Sequence, residues 1–330
     1  MKKVINNANH VVHEMLDGLV AAYPDSLKRL PGTTVITRSD APVQGKVGIV
    51  SGGGSGHEPA HAGYVGRGML DAAVAGEVFT SPTPDQIIEA IKAVDSGNGV
   101  LLIIKNYTGD VMNFEMAQEM AEMEGINVDR VIVNDDVAVE DSTFTVGRRG
   151  IAGTIFVHKI AGAMADTGAS LLEVKAAAEK TIVNVRSMGV ALSSCTLPAA
   201  GKPSFTLADD EMEIGIGIHG EPGIERVPLE EADRLTTILV NKILQDIDYE
   251  QEEVAVMVNG LGATPEMELH IVNRKLSQLL KEKDIAVYKN WVGEYMTSLD
   301  MEGFSVTLLK LDSELKSLLV KDVKTIAFQV

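Results

Sequence analysis

Ser51-Gly52-Gly53-Gly54-Ser55-Gly56-His57-Glu58 follows directly on an apolar, strand-like run, residues 47–50. Consecutive glycines weaken both helix and strand and carry an entropic cost. Their usual use is close approach of backbone to a ligand, where any side chain would collide. The histidine that ends the run can move a proton near neutral pH. The segment therefore reads as a small-molecule site. The plainer alternative is a glycine-rich turn from strand to helix with a surface histidine.

Working outward, apolar runs alternate with helical patterns along the whole chain. Strands are predicted at 47–51, 72–75, 100–105, 131–134, 189–193, 213–218, 254–258, 285–291 and 305–310. Helices are predicted at 8–22, 85–94, 112–123, 151–166, 171–185, 229–245, 265–281 and 313–320. This alternation predicts an α/β protein of two layered domains with mostly parallel or mixed sheets. A division near Met188 gives a first domain, 1–188, with the glycine-rich loop, and a second, 189–330. In open α/β sheets ligands gather beyond the carboxyl ends of strands. Three polar segments fall at such ends: 51–58, 105–110 and 219–226.

Composition narrows the function. The 330 residues are 45% hydrophobic and 23% charged, with material for a large core. The net charge of −18 disfavours nucleic-acid backbones and anionic membranes. Cys195 is the single cysteine, which excludes an intrachain disulfide and fits a reducing cytoplasm. It lies in a strand-like run and reads as a buried, inert thiol. The basic N-terminus lacks a signal-peptide core. No stretch approaches the roughly 18 apolar residues of a membrane span.

Two motifs mislead. His57-Glu58-Pro59-Ala60-His61 matches the H-E-x-x-H pattern of zinc proteases, which needs both histidines on one helical face. Pro59 is tolerated only in a first helical turn, which would leave His57 outside the helix, so no metal site is expected. His61 is expected to be a helix residue near the site or exposed. Gly215-Ile216-Gly217-Ile218-His219-Gly220 matches G-x-G-x-x-G, yet no helix opens after it. It reads instead as a strand entering a turn with His219 at the tip. In Lys105-Asn106-Tyr107-Thr108-Gly109-Asp110, Lys105 and Asp110 either flank a ligand or merely cap a strand and a helix.

These segments together resemble the substrate-binding subunit of dihydroxyacetone kinases, in particular the bacterial phosphotransferase-coupled type. The resemblance rests on 51–59, Gly76-Glu77-Val78-Phe79-Thr80-Ser81-Pro82-Thr83-Pro84, 105–110, Gly201-Lys202-Pro203-Ser204-Phe205-Thr206 and Gly217-Ile218-His219-Gly220-Glu221-Pro222-Gly223. Gly260-Leu261-Gly262-Ala263-Thr264-Pro265 and Thr297-Ser298-Leu299-Asp300-Met301 extend it nearly to the C-terminus.

The resemblance implies that His219 forms a covalent hemiaminal with the ketone carbon of dihydroxyacetone. His57 would be the general base on the hydroxyl to be phosphorylated, assisted by Asp110. Gly54, Ser55, Gly56 and Lys105 would hold the substrate oxygens. The residue chemistry agrees: an imidazole nitrogen adds to a carbonyl, and a covalent anchor orients a substrate too small for strong noncovalent binding. The nucleotide half of such kinases carries an Asp-Gly-Asp-x-Gly motif that is absent from this sequence. No cofactor is therefore expected on this chain. ADP or ATP with magnesium would sit on a separate subunit, recharged by a phosphocarrier protein. A homodimer is expected. Some relatives act as triose-sensing transcriptional co-activators, which is the competing reading.

Overall fold

The glycine run is extended chain rather than a loop. The computed structural model describes residues 2–139 and 147–330. Its elements in chain order are helix α1 (Val11–Ala22) and strands β1 (Leu27–Arg29), β2 (Val35–Arg38), β3 (Gly48–Ser55) and β4 (Ala72–Val78). Then come α2 (Pro84–Val94), β5 (Val100–Lys105), α3 (Thr108–Met123), β6 (Val128–Val133), α4 (Thr154–Ala165) and α5 (Leu171–Asn184). The remainder comprises β7 (Val185–Ala191), β8 (Glu211–Ile214), β9 (Glu225–Pro228), α6 (Ala232–Asp246), β10 (Glu253–Gly260), α7 (Glu266–Glu282), β11 (Ala286–Gly293), β12 (Gly303–Leu311) and α8 (Ser313–Leu319).

Among the described residues the strands form two six-stranded sheets, ordered β1-β2-β4-β3-β5-β6 and β11-β10-β12-β7-β8-β9. In the first, β4, β3, β5 and β6 run parallel, with β2 and β1 antiparallel at the edge. The second is mixed: β10 and β11 are parallel across α7, and every other pair is antiparallel. A parallel pair needs a long crossover. The β7–β8–β9 stretch has no helix between its strands, so it returns antiparallel.

The apolar face of each helix settles the layers. Helices α2 and α3 bury Ile87, Ile91, Phe114 and Ala117 against one face of the first sheet. Helices α4 and α5, with α1 and α8, join Ile49, Leu101 and Ile103 of the first sheet to Ala255, Met257 and Leu309 of the second. Helices α6 and α7 cover the far face of the second sheet through Leu239, Ile243, Leu276 and Leu280. Ser170 and Glu173 start α5 with a capping box. No helix among the described residues is long and apolar enough to cross a membrane.

Several elements differ from the sequence expectation. Gly52, Gly53 and Gly54 pair with Val74, Ala75 and Gly76 as the C-terminal half of β3. A Cβ on Gly52 would lie 2.4 Å from the Val74 carbonyl oxygen, so the glycines admit neighbouring backbone, not only ligand. Helix α3 begins at Thr108 rather than 112, which places Asp110 in its first turn. Strand β8 ends at Ile214 rather than 218. Strands β1, β2 and β9 were not expected. All three are short, and β1 is a Leu-Lys-Arg segment with no apolar alternation.

Candidate active site

His219 stands on the turn after β8. Gly215 and Gly220, at φ 76 and 81, occupy the left-handed region that glycine adopts without strain. Within the turn Gly220 donates its N–H to the Gly217 carbonyl at 3.0 Å. Nδ1 of His219 lies 2.7 Å from Oε1 of Glu221, while the His219 peptide N–H donates to Oε2 at 2.9 Å. Burial pushes the Glu221 carboxyl up, but the charge and hydrogen bond of His219 and the guanidinium of Arg149 outweigh it and hold it down to about 2. An ionised carboxylate only accepts, so Nδ1 carries a proton and Nε2 is the ring nitrogen turned away from Glu221. The ring is boxed by Tyr107, His57 and Phe79, with centroids 4.6, 4.7 and 5.2 Å away.

Behind Glu221 lies a buried relay. Arg149 pairs with Asp136 at 2.7 Å, both fully buried, and donates to the Gly215 carbonyl at 2.7 Å. Burial raises the Asp136 carboxyl to about 6 against the pull of Arg149. A Cβ on Gly217 would fall 2.0 Å from Oε2 of Glu221 and 2.7 Å from Nη1 of Arg149. Glycine at 217 is what lets these side chains approach the turn.

His57 follows β3 and is fully buried. Its Nδ1 is 2.7 Å from the Thr297 carbonyl oxygen, an acceptor, so this nitrogen bears the proton. Nε2 then has an open lone pair and no hydrogen-bond partner among the described residues. Burial, followed by the charges of His219 and Lys105, lowers its pKa well below the ordinary histidine value, so the ring is neutral at physiological pH. Phe79, in the left-handed region at φ 54, stacks on it at 5.1 Å. The segment after β11 holds the His57 turn: Leu299 donates to the Gly56 carbonyl at 2.8 Å and Thr297 to the His57 carbonyl at 3.2 Å.

Lys105 ends β5 and Asp110 opens α3. Nζ of Lys105 lies 3.4 Å from Oδ2 of Asp110, and both side chains are buried. The other oxygen, Oδ1, has no partner among the described residues. Gly53 makes room for the amine, because a Cβ there would sit 2.5 Å from Nζ. The two residues do not simply cap exposed ends.

A cavity of about 590 Å³ opens beside these groups, lined by Gly54, Phe79, Tyr107, Asp110, Ser204 and His219 among others. Of the expected oxygen-holding residues, Gly54 lines it. The Ser55 hydroxyl instead donates to the Gly76 carbonyl at 2.7 Å, and the Gly56 N–H donates to the Glu58 carboxylate at 3.1 Å. His57 and Lys105 are buried next to lining residues, His57 against Phe79 and His219 and Lys105 against Asp110. A second cavity, about 340 Å³, is lined by Met15, Leu16, Leu19 and Ile326 among others; Gly54 borders both.

Sequence reasoning missed Glu221, Arg149 and Asp136 as supports of His219. Glu221 lay two residues from an already suspected histidine, and that was the available signal. It also misplaced His61, which is buried on no regular helix, near Ser51 and 5.2 Å from the His158 ring. The rings of His57 and His61 pack against different partners, His219 and His158 respectively. The Cys195 thiol is buried and its pKa pushed up, as expected of an inert thiol.

Fold and site together define an α/β protein with two histidine rings, His57 and His219, 4.7 Å apart beside a cavity that His219 lines. The Dak1 domain matches residues 17–327, and the chain belongs to this family. It is 58% identical over 315 residues to the dihydroxyacetone-binding subunit of PTS-dependent dihydroxyacetone kinase 1 of Listeria innocua, covering 95% of each chain. Among solved structures it is similar to a dihydroxyacetone kinase operon co-activator, with a TM-score of 0.89 and 41% identity, covering 95% of this chain and 97% of that one. The dihydroxyacetone kinase of C. freundii superposes with a TM-score of 0.88 and 39% identity; 98% of this chain covers 60% of that longer one.

Proposed function

We propose that this chain is the dihydroxyacetone-binding subunit of a dihydroxyacetone kinase, working with a separate subunit that carries ADP or ATP and magnesium. The observation that carries the reading is the His219–Glu221 pair beside the cavity, with Asp110 and His57 at hand. Nε2 of His219 adds to the ketone carbon. The carbonyl electron pair moves to oxygen, which takes a proton from water, and the Nδ1 proton returns to water by way of Glu221, so one proton is exchanged for one. The product is a neutral hemiaminal. A terminal hydroxyl then attacks the phosphorus offered by the partner, and its proton passes to His57 with Asp110 assisting. Lys105 and the Gly54 backbone hold the substrate oxygens, and Ser55 and Gly56 support that wall. Glycerol has no carbonyl and forms no adduct.

The same reading divides the chain near Met188 into a unit bearing His57 and a unit bearing His219. It also makes the protein a cytoplasmic homodimer whose partner is recharged by a phosphocarrier. The likeness to a co-activator supplies a second reading, a triose sensor. Sensing requires the anchor but not the proton chemistry, and the open lone pair of His57 and open oxygen of Asp110 favour catalysis. The test adds the chain to a nucleotide-loaded partner subunit and a phosphate donor, then follows dihydroxyacetone phosphate. Product formation that needs both proteins supports the kinase reading. An adduct on His219 without product under those conditions moves the assignment to the sensor.

A further inference from the structure

Helix α3 presents an apolar stripe to solvent. Met112, Met116, Met120 and Met123 are 56%, 52%, 38% and 84% exposed, although the same helix buries Phe114, Ala117 and Ala121 on its inner face. Spacings of four, four and three residues put the methionines on one face, about 16 Å long at a rise of 1.5 Å per residue. The outer face of a packed helix is ordinarily polar. Methionine side chains are unbranched and adapt to an opposing surface, as at binding faces. Glu115, Glu119 and Glu122 run beside the stripe on the same helix.

We infer that this stripe is the docking surface for the nucleotide-bearing subunit, whose matching face is apolar and edged with lysine or arginine. The inference rests on the kinase reading above. What selects this occupant is continuity with the site. Thr108, Gly109 and Asp110 form the first turn of α3 and line the cavity. Thr108 and Gly109 are themselves exposed, and Met112 lies two residues beyond Asp110. A phosphate delivered to a triose in the cavity passes the first turn of this helix, so its carrier lies against the helix. The glutamates, on a chain of net charge −18, ask for a basic rim on the partner.

The test compares wild type with the triple variant Met116→Glu, Met120→Glu and Met123→Glu, which leaves the cavity-lining turn untouched. A control carries Leu172→Glu and Val183→Glu, exposed positions on α5. The probe is a nucleotide-bearing kinase subunit loaded with ADP and magnesium. Its binding is measured by calorimetry and its rate support by titration. Expected are at least tenfold weaker binding of the triple variant and an equal rise in the half-saturating subunit concentration. Its dihydroxyacetone adduct by intact mass and the control's behaviour should match wild type. Wild-type affinity in the triple variant overturns the inference, and so does a change confined to its own assembly state. If wild type binds the subunit yet phosphorylates nothing, the kinase reading falls while binding still judges the stripe. If wild type binds no such subunit, both fall.

Discussion

Glu221 binds His219 twice, through the ring at 2.7 Å and through the peptide N–H at 2.9 Å. The carboxylate therefore fixes both the tautomer of the imidazole and the turn that displays it. Glu221→Gln removes the charge and keeps the shape. We expect the dihydroxyacetone adduct, read by intact mass, to form at least tenfold more slowly while the fold is retained. An unchanged rate of adduct formation would show that the pair is structural only. Stability gives a second readout. The folded pKa of about 2 lies below the ordinary 4.5, so the contribution is fully present above pH 4.5 and is lost as pH falls toward 2. It is on the order of 3 kcal/mol. The gap in melting temperature between wild type and variant should close across that window.

His57 and Asp110 each bring an open acceptor atom to the region of the substrate hydroxyl. His57→Asn and Asp110→Asn should each cut triose phosphorylation by roughly 10²–10⁴-fold, the ordinary reach of general base catalysis. Loss should fall on kcat more than on KM, with the His219 adduct still formed. Normal turnover in both variants would reject the proton-transfer roles.

Gly53 and Gly54 are adjacent, yet alanine should act differently at each. At 53 the new carbon meets the movable Lys105 amine; at 54 it meets the Phe79–Thr80 backbone at 2.6–2.8 Å. Gly53→Ala should keep most of its stability and lose substrate affinity by displacing Lys105 from Asp110. Gly54→Ala should cost about 1–3 kcal/mol of stability, as overpacking does. Denaturant melts beside KM values check the contrast, and equal stability losses would contradict it.

Three buried histidines set the acid limit. Burial, the first cause in each, lowers His57 and His61 well below 6.5 and His158 to about 3. The unfolded chain takes these protons near pH 6.5 and the folded chain refuses them, so stability is lost as pH falls below 6.5. Each histidine contributes a slope of about 1.4 kcal/mol per pH unit. Neither ring nitrogen of His158 has a partner among the described residues. His158→Leu should reduce the slope between pH 6 and 5 by about one proton, measured by denaturant unfolding. An unchanged slope would mean His158 is protonated in the fold.

Strong periodicity made most of the strands and helices legible, though not the short edge strands β1, β2 and β9, because β5 and β10 are long apolar runs and α7 has a clear amphipathic face. His57, Lys105, Asp110 and His219 were legible as polar residues at strand ends. The glycine run misled because glycine is read as a breaker. In β3 it serves parallel pairing with β4 and the space needed by Lys105. The Arg149–Asp136 support was illegible for another reason. It joins residues 66 or more positions from the turn at Gly215 that it steadies, and no local pattern records such a contact.

Gly54 belongs to both chambers of the molecule, since the strand that carries it has no side chain there to thicken the partition. Enlarging this wall is closed off by the chain behind it, as a carbon added at 54 runs into the Phe79–Thr80 backbone at 2.6–2.8 Å. Change of ligand must come from the rim instead: the turns at 79–81, 107–110, 197–204 and 219–222, whose side chains face the larger room. A mutational landscape of this protein would be flat and intolerant along β3 and rugged around it.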